Sequence, residues 1–130
     1  MLQRIKKLLE RSALFIAILA TLTIAFLSLS HIPKISFGIK IKSGDKYLHF
    51  MAYFFLSLIW YFAFQKKLKN SRFKLLLISV LVIYGIVLEV LQGGLTNYRT
   101  ADVYDALANT LGILLASLIV DKFLRWYHTI

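Results

Sequence analysis

Four long apolar runs, separated by short polar stretches, organise the chain. The first, 13-ALFIAILATLTIAFLSLSHI-32, has the length that about 20 helical residues need to cross roughly 30 Å of hydrocarbon. A basic start followed by an apolar run is also how a secretory signal begins. No A-x-A-like cleavage site follows, however, and Pro33 closes the run, so it reads as a retained anchor. The second, 47-YLHFMAYFFLSLIWYFAF-64, is rich in aromatics; Trp60 and Tyr61 fit interface anchors and the other rings a lipid-facing surface. The third, 73-FKLLLISVLVIYGIVLEVL-91, is expected to stop at Gly93 and Gly94, since glycine suits a helix end. The fourth runs from Val103 to Val120. Each run is near the lower limit for spanning, which tilt or local thinning of the bilayer accommodates. The pattern predicts an all-α fold, a polytopic membrane protein whose four transmembrane helices form a bundle with short loops, in one domain over residues 1–130.

Composition agrees. The apolar fraction of 59% and mean hydropathy of +0.72 exceed those of ordinary soluble domains. The absence of cysteine excludes disulfides and thiolate metal sites. A formal charge of +10 raises the question of nucleic acid, but the basic residues lie between apolar runs and not in a stripe. Their natural partner is an anionic membrane surface. With a cytoplasmic N-terminus the inner side holds Arg4, Lys6, Lys7, Arg11, Lys66, Lys67, Lys69, Arg72, Lys74, Lys122 and Arg125. The outer side then holds Lys34, Lys40, Lys42, Lys46 and Arg99, a bias of 11 to 5 that places both termini in the cytoplasm.

The same topology gathers polar residues. Asp45, Glu89, Asp102 and Asp105 all fall at the outer ends of helices two, three and four, and His49, Gln92, Arg99 and Asn109 join them. Asp45, His49 and Tyr53 recur every four residues and share one helical face, with Lys46 beside them at the membrane boundary. Glu89 and Gln92 are three apart, with Gly85 one turn earlier. Asp102, Asp105, Asn109 and Gly112 follow at spacings of 3, 4 and 3. Gly85 and Gly112 supply small surfaces for close helix packing, and the simplest packing turns the three stripes toward one another. Plainer roles compete for each residue. Asp102 and Asp105 suit the start of helix four as caps; Glu89 can pair with Arg99 or Lys46; His49 and Tyr53 can serve as hydrogen-bonded packing residues. No G-x-S-x-G, H-E-x-x-H, Walker A or G-x-G-x-x-G pattern is present.

Three blocks, 45-DKYLHFMAYFFLSLI-59, 85-GIVLEVLQ-92 and 99-RTADVYDALANTLG-112, together resemble the VanZ-like family of small bacterial membrane proteins. The likeness covers residues 45 to 115 and rests on the ordered pattern D-K-x-x-H-F, E-x-x-Q and R-x-x-D-x-x-D-x-x-A-N-x-x-G. It singles out Asp45, Lys46, His49, Phe50 and Tyr53, then Glu89 and Gln92, then Arg99, Asp102, Asp105, Asn109 and Gly112. Ala116 stands where relatives often have a further glycine. The resemblance implies a bacterial cell membrane and an association with resistance to teicoplanin, a lipid-bearing glycopeptide. It supplies no biochemical mechanism.

Carboxylates, an imidazole, an arginine and a lysine at the outer boundary suit the headgroup of an envelope lipid. In that reading the chain binds or processes a lipid-linked or phosphate-bearing envelope precursor. Glu89 is the expected base, His49 a proton carrier and Asp105 the third catalytic group. Lys46 and Arg99 grip the phosphate, aided by Gln92, Asn109 and Tyr53. Asp45, Asp102 and Asp105 are the expected oxygen ligands for a divalent cation such as Mg²⁺. The alternative is a non-catalytic scaffold or partner-docking protein whose polar network is structural. A transporter ranks last, because the charges cluster at one face and not at the midplane.

Overall fold

The structure, a computed structural model, describes residues 1–29, 44–95 and 103–130. The described residues form four helices: α1 (Leu2–Leu29), α2 (Gly44–Ala63), α3 (Ser71–Leu95) and α4 (Val103–Thr129). Three of these overrun the apolar stretches. Arg4, Lys6, Lys7, Glu10 and Arg11 extend α1 toward the N-terminus, and Asp121, Lys122 and Arg125 extend α4 toward the C-terminus. Long charged side chains are good helix formers, so hydropathy marks the membrane-compatible part of a helix and not its ends. At 28 residues α1 is about 42 Å long, enough to cross the hydrocarbon and carry its basic turns into the interface. The expected stop at Gly93 and Gly94 agrees with the observed helix to within a residue, α3 being described to Leu95.

Among the described residues three helices, α1, α3 and α4, are long and apolar enough to cross a membrane, consistent with a multi-pass membrane protein. The 20-residue α2 is not one of the three. Its Lys46, His49 and three tyrosines lower its hydropathy, and several of these face the bundle and not the surroundings. The outward surfaces of the other helices are apolar: Phe15, Leu22 and Phe26 on α1, Leu75 and Ile83 on α3, and Leu111 and Leu118 on α4 are all exposed. An apolar belt of this extent needs a lipid-like surrounding.

Short connections make sequence neighbours antiparallel. The seven residues 64–70 turn the chain between α2 and α3, and Asn70 caps α3 by accepting a 3.0 Å hydrogen bond from the Arg72 amide. Packing, however, does not follow chain order. The most extensive seam joins α2 to α4, while α1 lies against α2 and α3, and α3 against α4. Along that seam Gly112 and Ala116, four residues apart on α4, are buried with Ile113 and Val120 against Tyr53, Leu56 and Tyr61 of α2. Tyr61, fully buried, donates a 3.2 Å hydrogen bond to the Ile113 carbonyl. This corrects the interface-anchor reading of Tyr61, which lies in the core beside Tyr53, while Tyr47 and Phe55 face outward. Thr21 keys α1 to both neighbours. Its hydroxyl accepts from Trp60 Nε1 at 2.9 Å and its carbonyl from the Tyr84 hydroxyl.

Candidate functional site

One end of the bundle is built from the end of α1, the start of α2, the end of α3 and the start of α4. Up-down connectivity brings the three polar stripes to this one depth, and helical spacing keeps them on inward faces. His49, Glu89 and Asp105, one from each of α2, α3 and α4, present ligand atoms that all lie within 4.8 Å of one another. Glu89 is only 5% exposed, and His49 and Asp105 are half-buried. Lys46, one turn ahead of His49 on the same helix, sets its ammonium 3.5 Å from Asp105 Oδ1. That side chain is also the more accessible of the pair.

Beneath this cluster lies a layer of closely fitted groups. Gly85 faces the Tyr53 ring and Asn109; a β-carbon on residue 85 would sit 3.2 Å from Tyr53 Cε1 and 3.4 Å from Asn109 Cβ. Asn109 and Tyr53 are each 2% exposed. Gln92, also buried, donates a 2.8 Å hydrogen bond to the Ser28 carbonyl and so ties the site to α1. Asp105 Oδ1 and Asn109 Oδ1 are buried without a hydrogen-bond donor among the described residues. A buried acceptor left unpaired costs about 1–3 kcal/mol, which at Asp105 the Lys46 ammonium, 3.5 Å away, offsets in part.

The electrostatics follow from the count of charges. Two carboxylates and an imidazole within 4.8 Å can share a proton or a cation readily, whereas two bare negative charges repel at that distance. Lys46 offsets one of them. Of the sequence-predicted groups, His49, Glu89, Asp105 and Lys46 are brought together, with Gln92, Asn109, Tyr53 and Gly85 packed around or beneath them. Gly112 lies farther along α4, in the seam with α2. Asp45, Arg99 and Asp102 lie outside the residues whose side chains are described. The group spaced to hold a metal among the described residues is therefore His49, Glu89 and Asp105. The sequence reading named Asp105 among the metal ligands and gave Glu89 and His49 proton-transfer roles.

Two crevices flank the cluster. One, of about 250 Å³, is lined by His49, Tyr53 and Gln92 together with Ile24, Leu27 and Leu48. The other, of about 370 Å³ between α3 and α4, is lined by Glu89 with Ile86, Val90, Val103 and Leu107. Both are mainly apolar, so the polar groups sit beside channels of hydrocarbon character. Sequence reasoning missed Ser57, fully buried on α2. The period that links Asp45, His49 and Tyr53 continues through Ser57 to Tyr61, a signal that was present. No such signal marks Ser28, whose contribution is a backbone carbonyl.

No solved structure matches the chain. An uncharacterised protein of Schizosaccharomyces pombe is 37% identical over 83 residues, which are 63% of this chain and 49% of that protein. The chain thus spans about half the length of that relative. The pattern of the VanZ/LLP1 family matches residues 2–125. The polar stripes, the helical architecture and this near-complete match converge, and the chain belongs to the VanZ/LLP1 family.

Proposed function

We propose that the protein crosses the cytoplasmic membrane of a bacterial cell four times, termini inside, and uses the His49–Glu89–Asp105 cluster to hold and process the phosphate-bearing headgroup of a membrane lipid. α2 is the fourth span. It pairs with α4 along the main seam, with Lys46 at one end of the bundle and Phe62 packed edge-on to Tyr127, 5.0 Å between ring centres, at the other. Its polar residues turn inward, which is how a span of low hydropathy remains compatible with lipid. The 11-to-5 distribution of basic residues supports the orientation.

The observation that carries the reading is the meeting of three ligand-bearing side chains within 4.8 Å beside two apolar crevices. An amphipathic molecule fits such a place: its chains lie in a crevice while its headgroup reaches the cluster. A phosphate facing Glu89 and Asp105 needs positive charge between them. Lys46 supplies one, and a divalent cation held by His49, Glu89 and Asp105 would supply the rest. The second oxygen of Glu89 would take the proton of a water attacking phosphorus, while the P–O bond to the headgroup or lipid alcohol breaks and that alcohol leaves. A fission yeast relative favours a lipid class shared by bacteria and fungi over a substrate confined to the peptidoglycan pathway. An effect on teicoplanin susceptibility would then follow from altered membrane lipid.

Native mass spectrometry with metal analysis, on wild type and Asp105→Asn, tests this. A phosphate-bearing lipid retained by the wild type and lost from the variant supports the site. Folded proteins that both emerge without lipid or metal favour the second reading, a structural network. The Gln92–Ser28 hydrogen bond and the Lys46–Asp105 pair are what that reading rests on.

A further inference from the structure

The opposite end of the bundle carries chemistry that the proposed site does not use. α1 and α4 do not pack directly against one another along their lengths. They are joined near the termini by the Tyr127 hydroxyl, which donates to Glu10 Oε1 at 3.1 Å and lies 3.4 Å from the Lys6 carbonyl. Between the two helices runs a groove of about 520 Å³. Leu58, Ile59 and Phe62 of α2 form its floor, and Ile16, Phe123 and Trp126 are among its walls. A cavity of about 560 Å³ adjoins it at the α2–α3 turn, lined by Lys66, Lys67 and Lys69 with Glu10 and His128. Phe62 lines both, so the apolar groove and the basic cavity meet at that side chain.

We propose that this groove and cavity form a second lipid site, distinct from the His49 cluster, that holds one anionic diacyl phospholipid. An acyl chain lies over the α2 floor between α1 and α4, and the headgroup phosphate meets the three lysines. Charge decides the occupant. A zwitterionic lipid fills the groove equally well but brings no net charge to the lysines. A second copy of the chain, related by an axis along the membrane normal, brings its own lysines to the same depth and repels. An apolar partner helix covers the groove and leaves the lysines uncompensated. Glu10, the carboxylate in the lining, is engaged by the Tyr127 hydroxyl. The bundle end that holds the termini also carries the greater share of basic residues, as expected where anionic headgroups are concentrated.

Trp126 stands in the groove wall, and the chain's other tryptophan, Trp60, is hydrogen-bonded to Thr21 on the far side of α2. In vesicles of phosphatidylcholine doped with brominated phosphatidylglycerol, Trp126 fluorescence in Trp60→Phe is quenched at a mole fraction on the order of tenfold lower than with brominated phosphatidylcholine. Changing Lys66, Lys67 and Lys69 together to Gln removes that preference. Native mass spectrometry of the unaltered chain, incubated with equal phosphatidylglycerol and phosphatidylcholine, retains the former. Equal quenching by the two lipids, or a preference that survives loss of the lysines, overturns the proposal. Absence of quenching by either lipid also overturns it, because the groove is then covered by protein.

Discussion

Gly112 of α4 and Phe50 of α2 meet at the backbone: a β-carbon on residue 112 would overlap the Phe50 carbonyl oxygen and sit 3.0 Å from the Phe54 amide nitrogen. Backbone cannot swing aside as a side chain can, so Gly112→Ala separates α2 from α4. The expected cost is about 1–3 kcal/mol of overpacking, partly offset by the roughly 1 kcal/mol that alanine gains in helix propensity. Gly85→Ala meets the Tyr53 ring and the Asn109 side chain instead, which can yield, and its net effect should be near zero. Gly94 faces open space, so alanine there should stabilise slightly. Thermal unfolding in detergent should rank the variants Gly94→Ala, Gly85→Ala, Gly112→Ala, from most to least stable. A Gly112→Ala protein as stable as the wild type would refute the close seam.

The helices were legible as apolar runs, and the stripe containing Asp105, Asn109 and Gly112 was legible from its spacing. What opposes that stripe was not. Gly112 announces only a small surface; that the surface receives the backbone of Phe50 depends on which helices pack, and periodicity does not report that. The burial of Tyr61 was missed for a related reason. In water an apolar face points inward, but lipid is as apolar as a helix interface, so Tyr61 and Phe55 look alike in sequence although one is buried and the other exposed. The cluster at His49 was foreshadowed because charged groups have no such ambiguity inside a membrane. Asp45, Arg99 and Asp102 belong to the same stretches of sequence, yet lie outside the described side chains.

Lys46→Gln separates stability from binding. The Lys46–Asp105 pair is partly exposed, with side chains 37% and 15% accessible, so its loss should cost less than about 1 kcal/mol in unfolding. Retention of a phosphate-bearing lipid should fall severalfold in the same protein. A large loss of stability with unchanged lipid retention would assign Lys46 to the scaffold.

Glu89→Gln keeps the size and hydrogen-bonding reach of the side chain while removing its charge. Release of headgroup or phosphate from the retained lipid should fall by at least about a hundredfold, the lower end of what a general base contributes. A chelator should lower the unfolding temperature of the wild type and leave that of Glu89→Gln unmoved. Unchanged turnover in Glu89→Gln would remove Glu89 from the mechanism.

The absence of cysteine makes the topology directly measurable. Cysteine introduced at Tyr47, which is 63% exposed, should react in intact cells with a membrane-impermeant maleimide. Cysteine at Lys69 or His128, both exposed at the opposite end, should react only after the cells are opened. Labelling of positions 47 and 69 from the same side would mean that α2 does not cross.

The seam between α2 and α4 also sets the order in which the molecule can be made. Helices two and three leave the ribosome with the surface meant for Gly112, Ile113 and Ala116 still uncovered, because those residues come later in the chain. Until α4 arrives, Glu89 lacks Asp105 as a neighbour, and Tyr61 has no Ile113 carbonyl to bond. Assembly is therefore a late, all-together event among helices already resident in lipid. A chain interrupted ahead of Val103 would strand a buried carboxylate in hydrocarbon and become a natural substrate for membrane quality control.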